Sequence, residues 1–273
     1  MIVFPNAKIN IGLFVTSVRE DGYHNIETLF YPVYSLYDVL EVIRNNGKED
    51  EFSSSGIEID SAPADNICIK ALNLMRQNAG IPPLKIHLHK NIPIGAGLGG
   101  GSADASFMLK LLNEQFSIGM SNSMLEKLAA GLGADCPVFI ENKAVLARGT
   151  GNEFHPIECN LDGLWLNLVV PKIHITTAQA YRGVSPAQAA MPLSMLIKRP
   201  TEQWKDGVTN DFERSIFKTH PSIEEIKNKM YQNGALYASM SGSGSAVYGI
   251  FREKQDIKWP EDYFVHNEPF QAI

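Results

Sequence analysis

The segment PIGAGLGGGSADA, residues 93–105, holds five glycines: Gly95, Gly97, Gly99, Gly100 and Gly101. Without side chains, their backbone N–H groups can close on an anion, and a helix starting just after them adds a partial positive charge. Gly95, Gly97 and Gly100 satisfy the G-x-G-x-x-G spacing of a dinucleotide site. That site needs a second parallel strand after the helix and an acidic residue about 20 positions on. Here a further helix follows instead. A P-loop needs Lys-Ser or Lys-Thr behind the glycines, and neither is present. A phosphate cradle of another kind remains, with a plain flexible loop as the alternative. Ser102 could cap the following helix and still offer its hydroxyl to magnesium.

Other residues carry chemistry of their own. Along residues 7–15 the chain alternates, with Ala7, Ile9, Ile11, Leu13 and Val15 on one face and Lys8 and Asn10 on the other. One strand could therefore present Lys8 and Asn10 to a single site; a solvated lysine is the plainer reading. Asp135 precedes Cys136 and Pro137, where an Asp often caps a helix that tolerates proline in its first turn. Capping is compatible with a reactive role. Cys136 reads as a small buried residue rather than a nucleophile. His87 and His89 form H-x-H, but no third ligand lies near them in sequence, so a solvated strand face is expected. The SGSGS segment, residues 241–245, can aim backbone donors at phosphate or simply turn the chain.

These residues need elements to position them. Strands are expected at 7–15, 23–33 and 38–43, with a turn at 19–22 and a polar, Ser-rich surface loop at 45–55. Ile67, Ala71, Leu74 and Met75 share one face of a helix over 66–78, stopped by Gly80 and Pro82. A strand at 85–90 runs into the glycine segment, a helix follows to about residue 112, and another spans 123–130. Beyond Gly151 come an apolar strand at 164–170 and helices at 177–182, 208–218 and 222–232. Strands at 235–240 and 246–251 flank SGSGS. Strands mixed with helices in both halves, without repeats, give an α+β chain in two domains divided near residue 155.

Composition bounds the partners. At 273 residues and 44% hydrophobic the chain can bury a sizeable core. A net charge of -6 and a pI near 5.7 argue against nucleic acid and anionic membranes, which call for concentrated Lys and Arg. The apolar run at 164–170 is far shorter than the roughly 20 residues of a membrane helix, and the N-terminal segment has no basic and apolar leader pattern. Cys68, Cys136 and Cys159 form neither a paired framework nor a zinc spacing, which suits a reducing cytosol. A small anionic ligand is the partner left open.

Taken together, PNAKINIGL at 5–13, IPIGAGLGGGSADA at 92–105 and MSGSGSAVYGIF at 240–251 resemble, in this order, the three motifs of the GHMP kinases. They span most of the chain. Within that family, AKIN at 7–10, DGYH at 21–24 and GADCPVF at 133–139 resemble the members that phosphorylate a cytidyl-linked polyol. The resemblance implies a two-domain GHMP kinase fold: 1–155 like the ribosomal protein S5 domain 2 fold and carrying the ATP loop, 156–273 ferredoxin-like. It implies a cytoplasmic enzyme using ATP and Mg2+ on a small-molecule hydroxyl, with no nucleic acid or membrane partner. Lys8 and Asp135 take the catalytic positions, one stabilising the transferring phosphoryl group and the other accepting or orienting the hydroxyl proton. Asn66, Pro93, Gly95, Ala96, Gly97, Leu98, Gly99, Gly100, Gly101, Ser102 and Ala103 take the ATP-binding positions, with Ser102 also the magnesium candidate. Asn10, Tyr23, His24, Tyr181 and Gly242 take substrate positions, the rings of Tyr23 and Tyr181 stacking on cytosine and His24 bonding its edge. A mevalonate-, homoserine- or sugar-type acceptor has no base for DGYH to hold, and a silent nucleotide sensor would not need both Lys8 and Asp135. Cys136 stands where the family often has an aliphatic residue. The 45–55 segment and the tail after Arg252 carry no motif.

Overall fold

The computed structural model describes residues 1–60 and 62–270, so the last residues of the second sequence domain, 271–273, lie outside it. The strands are β1 (Ile2–Val3), β2 (Asn6–Val18), β3 (His24–Tyr37), β4 (Val39–Arg44), β5 (Glu51–Gly56), β6 (Leu84–Lys90), β7 (Val145–Arg148), β8 (Glu153–Pro156), β9 (Trp165–Val170), β10 (Tyr237–Met240), β11 (Val247–Phe251) and β12 (Phe264–Pro269). The α-helices are α1 (Ile67–Arg76), α2 (Gly100–Gln115), α3 (Asn122–Ala130), α4 (Val138–Glu141), α5 (Thr177–Arg182), α6 (Leu193–Leu196), α7 (Glu213–Thr219) and α8 (Pro221–Gln232). The chain is α+β, as its motifs imply.

The elements gather into two compact units. The first takes Met1–Ala7, Leu36–Ile94 and Gly99–Asn142; the second takes Lys8–Ser35, Gly95–Leu98 and Lys143–Ile273. This interleaving differs from a single cut near residue 155. The reason lies in the second unit's core, where Leu13, Val15 and Ile26 from the start of the chain pack with Val169, Phe212, Ile226, Met230 and Met240 from its second half. Burying those apolar faces together outweighs contiguity in sequence.

In the first unit a sheet of order β1-β4-β6-β5 is covered on one face by helices. Leu84, Ile86 and Leu88 of β6 point into a core with Leu40, Val42, Leu72, Met75, Met108 and Leu112, so the predicted alternation of this strand holds. Helix α1 begins where Asn66 Oδ1 accepts the Cys68 amide at 2.9 Å. The 45–55 segment is not all loop: β5 pairs in parallel with β6 while its serines stay exposed. Backbone pairing makes this strand, which is why side-chain polarity hid it.

The second unit holds two sheets, β2-β3-β7-β8 and β10-β11-β9-β12, apart from two residues at one end each of β2 and β3. Residues 6–15 of β2 are buried on both faces, so the polar face that carries Lys8 and Asn10 is interior as well. The helix expected over 208–218 starts only at Glu213. Asn210 prevents an earlier start, because its side chain accepts the Phe212 amide at 3.0 Å and gives its own amide to two carbonyls elsewhere. The tail after Arg252 contributes β12, which pairs antiparallel with β9. Helix α8 opens on Pro221, a first-turn position where a missing N–H costs little.

Candidate functional site

In the second unit, β2, the glycine segment and the turn after β10 meet at one atom, the carbonyl oxygen of Gly97. Lys8 is 3% exposed. Its Nζ donates to Gly97 O at 3.1 Å and to Asn10 Oδ1 at 2.6 Å, and lies 5.2 Å from the centroid of the Phe30 ring. Ser241 Oγ donates to the same Gly97 oxygen at 2.8 Å and accepts the Asn10 amide at 3.2 Å. Asn10 Nδ2 reaches Thr28 Oγ1 at 3.0 Å, and Tyr248 OH donates to Asn10 O at 2.8 Å. Only glycine suits position 97: its φ is +78°, and a Cβ there would lie 2.1 Å from Ser241 O. Gly242 borders Asn10 and Gly97, a Cβ on it falling 3.3 Å from Asn10 Oδ1. Lys8, Asn10, Gly97 and Gly242 are thus brought together. Gly95, whose neighbour is the His174 ring, and Ala96, whose carbonyl accepts the Ala246 amide at 3.1 Å, lie on the same stretch, as does Leu98, whose carbonyl accepts the Lys8 amide at 2.9 Å.

The first unit holds the rest of the glycine segment. After Pro93, and from Gly99 on, the chain turns into α2 through Gly99 at φ 73°, with no side chain capping the helix. Ser102 therefore does not act as the N-cap; it sits in the first turn behind Gly100 and Gly101, with Ala103 bonding back to Gly99 O at 2.8 Å. A Cβ on Gly101 would meet nothing within 4 Å. The first-turn amides of α2, uncapped and next to open space at Gly101, suit phosphate oxygens. Ser102 is the residue of this turn whose hydroxyl would hold a magnesium ion. Among the described residues no group of three His, Cys, Asp or Glu is placed to hold a metal. Asn66 is buried and spends its Oδ1 on capping α1.

Asp135 does not cap a helix: α4 begins after Pro137 without a side-chain cap, and Asp135 lies half-buried in the turn before it. Cys136 is fully buried, and burial pushes its thiol up to about 11, so it stays protonated at neutral pH. Beneath the start of α2, Lys90 bonds Asp38 and, at 2.7 Å, Asp104. Burial works against the Lys90 ammonium, but Asp104 and Asp38 outweigh it and hold its pKa above the usual value. Asp104 itself is pushed up to about 8 by burial. This cluster escaped the sequence reading. Its signal was a lysine at position 90 on the apolar face of the 85–90 alternation.

His24 and Tyr181 stack at 4.6 Å between ring centroids, with 29° between planes, and Phe212 meets Tyr181 edge-on at 4.8 Å. Tyr23 is 67% exposed and does not join that stack. His87 and His89 are tied by Ser53 and Ser55, with His87 Nδ1 2.8 Å from Ser53 Oγ and His89 Nδ1 2.8 Å from Ser55 Oγ. They form the polar strand face expected of them. Thr28, Asn210, Ser241 and Tyr248 complete the arrangement around Asn10 and the turn after β10. Thr28 and Asn210 are ordinary in sequence, whereas Ser241 and Tyr248 fall inside the 240–251 motif, and tertiary packing brings the four to one place.

The GHMP kinases N terminal domain family matches residues 66–143, and the GHMP kinases C terminal family matches residues 195–258. The 4-diphosphocytidyl-2-C-methyl-D-erythritol kinase of Parabacteroides distasonis is 50% identical over 258 residues, 94% of each chain. That of Cytophaga hutchinsonii is 49% identical over 257 residues, again 94% of each. A crystal structure of 4-(cytidine 5'-diphospho)-2C-methyl-D-erythritol kinase superposes with a TM-score of 0.77 and 32% identity, covering 92% of this chain and 90% of that one. A homoserine kinase from Cytophaga hutchinsonii shares the fold, with a TM-score of 0.66 at 17% identity. The chain belongs to the GHMP kinase family, within the group of 4-diphosphocytidyl-2-C-methyl-D-erythritol kinases.

Proposed function

We propose that the protein transfers the γ-phosphoryl group of ATP to the 2-hydroxyl of 4-diphosphocytidyl-2-C-methyl-D-erythritol, a step of the methylerythritol phosphate route to isoprenoids. The observation that carries this reading is the buried Lys8 ammonium, held against the glycine segment at 3.1 Å from Gly97 O. Phosphoryl transfer needs fixed positive charge where charge moves and a group to take or orient the hydroxyl proton. Lys8 supplies the first and Asp135 the second. Gly95, Ala96, Gly97, Leu98, Gly99, Gly100, Gly101, Ser102 and Ala103, with Pro93 before them, cradle the ATP phosphates through backbone amides, and Asn66 borders the adenosine. Magnesium, when bound beside Ser102, neutralises phosphate charge.

On the acceptor side, the ring face that His24 and Tyr181 offer suits a flat pyrimidine, with Tyr23 free to swing onto it. Asn10 and Gly242 hold the polyol end. In sequence terms 1–155 is the ATP-loop domain and 156–273 its C-terminal companion. The enzyme acts in the cytoplasm; among the described residues no helix is long and apolar enough to cross a membrane.

Phosphorus NMR of the purified protein with ATP, magnesium and this acceptor, beside parallel samples of mevalonate, homoserine and galactose, tests the assignment. A new phosphomonoester signal with the cytidyl acceptor alone is expected. Turnover of another acceptor would keep the kinase and overturn the reading of DGYH, and nucleotide binding without transfer would point to a sensor.

A further inference from the structure

The Asn210 side chain is 2% exposed and spends every hydrogen-bonding group it has. Nδ2 donates to Met240 O and to Gly242 O, each at 2.8 Å, and Oδ1 accepts the Phe212 amide at 3.0 Å. The two carbonyls flank Ser241, whose hydroxyl bonds Gly97 O and the Asn10 amide. Asn210 therefore grips the backbone on either side of Ser241, which ties this turn to β2 and the glycine segment. Residues 209–211 are in turn pinned to β2: Leu13 N donates to Thr209 O at 2.8 Å, Asp211 N to Leu13 O at 2.9 Å, and Val15 N to Asp211 Oδ2 at 2.7 Å. The strand that carries Lys8 and Asn10 thus sets, through Asn210, where Gly242 stands.

We propose that Asn210 is a positioning residue for phosphoryl transfer: its amide bridges Met240 O and Gly242 O and holds Ser241 and Gly242 in register with Asn10 and Lys8. Two hydrogens on one nitrogen let a single side chain hold two carbonyls two residues apart, which neither Asp nor Ser can do. A carboxylate at this position would face both carbonyl oxygens without a donor. A misplacement of about 1 Å, even from a change far from the chemistry, can cost about 100-fold in rate.

The inference rests on the kinase assignment, and its test separates the two. Asn210→Ser and Asn210→Asp are compared with wild type and with Asp50→Asn, which loosens a tether remote in sequence from the turn. For Asn210→Ser, kcat with the cytidyl acceptor should fall roughly 10- to 100-fold, with KM for ATP within about twofold of wild type. Asn210→Asp should fall further. Amide hydrogen exchange at residues 241–244 should rise in both, while in Asp50→Asn neither kcat nor that exchange changes. Wild-type kcat in a folded Asn210→Ser would overturn the proposal, as would failure of both Asn210 variants to fold, which would make the residue structural alone. If wild type transfers nothing to the cytidyl acceptor, the kinase assignment fails, and the exchange at 241–244 still decides whether Asn210 holds the turn.

Discussion

Lys8 is only 3% exposed, and a buried charge survives only when its surroundings satisfy it. Asn10 Oδ1 and Gly97 O do so from known distances, which preorganises a positive charge at the glycine segment. Lys8→Met should leave a folded protein whose kcat is lower by roughly 100- to 1,000-fold, checked by steady-state kinetics beside circular dichroism. Asp135→Asn tests the other proposed role. With Pro137 rather than Asp135 at the start of α4, little helix stability is at stake. The variant should bind ATP normally and lose about 100-fold or more in turnover. Wild-type turnover would remove Asp135 from the chemistry. Both residues stand out in the sequence because their motifs are local, whereas the environment that keeps Lys8 buried comes from β3, the glycine segment and the turn after β10.

Among the elements, the end of α1 shows how a helix is anchored to strands. Arg76 holds the Asp50 carboxylate through two donors, at 2.5 and 2.8 Å, while Asp50 Oδ1 also accepts the Leu84 amide at 2.8 Å. These bonds join the start of β5, the start of β6 and the last turn of α1. The Arg76 side chain, above all, lowers the Asp50 carboxyl below its usual 3.8 despite some burial. A carboxyl lowered in the folded state stabilises that state above 3.8, and the contribution fades as pH falls through the lowered value. Asp50→Asn should therefore cost about 1 kcal/mol at pH 7, discounted for partial exposure, and nearly nothing well below the usual carboxylate range. Urea midpoints of variant and wild type at neutral and strongly acid pH check this; an equal gap at both would show the charge is not responsible. In sequence Arg76 read as a late-turn helix residue, and Asp50 fell in a segment taken for loop. Their pairing depends on β5, a strand that its Ser-rich composition conceals.

For the whole molecule, the decisive feature is that the second unit is built from both ends of the chain. A fragment ending at residue 155 would carry Leu13, Val15 and Ile26 without Val169, Phe212, Met230 and Met240, their partners in the core. Such a fragment should aggregate or bind a hydrophobic dye, and supplying residues 156–273 in the same cell should restore soluble protein. A monodisperse fragment with no dye binding would show that the early strands do not need the later half. The net charge of -6 leads to a simpler expectation, that duplex DNA at physiological salt is not shifted in a gel.

Sequence alone determined the glycine segment, the alternation of the first strand, the main helices and the order of three motifs, because each is written in residues close together along the chain. Its period-2 and period-3.6 patterns are local consequences of backbone geometry. Tertiary structure decided what those patterns could not encode. It buried the polar face of β2, made β5 and β12 by pairing rather than by composition, and delayed the start of a predicted helix past Asn210 because that side chain had partners at the end of β10 and just beyond it. It also gathered Lys90, Asp38 and Asp104 from separate segments. The physical reason is common to all of these: hydrogen bonds and burial are satisfied in space, and the partner that satisfies a residue can lie anywhere in the chain.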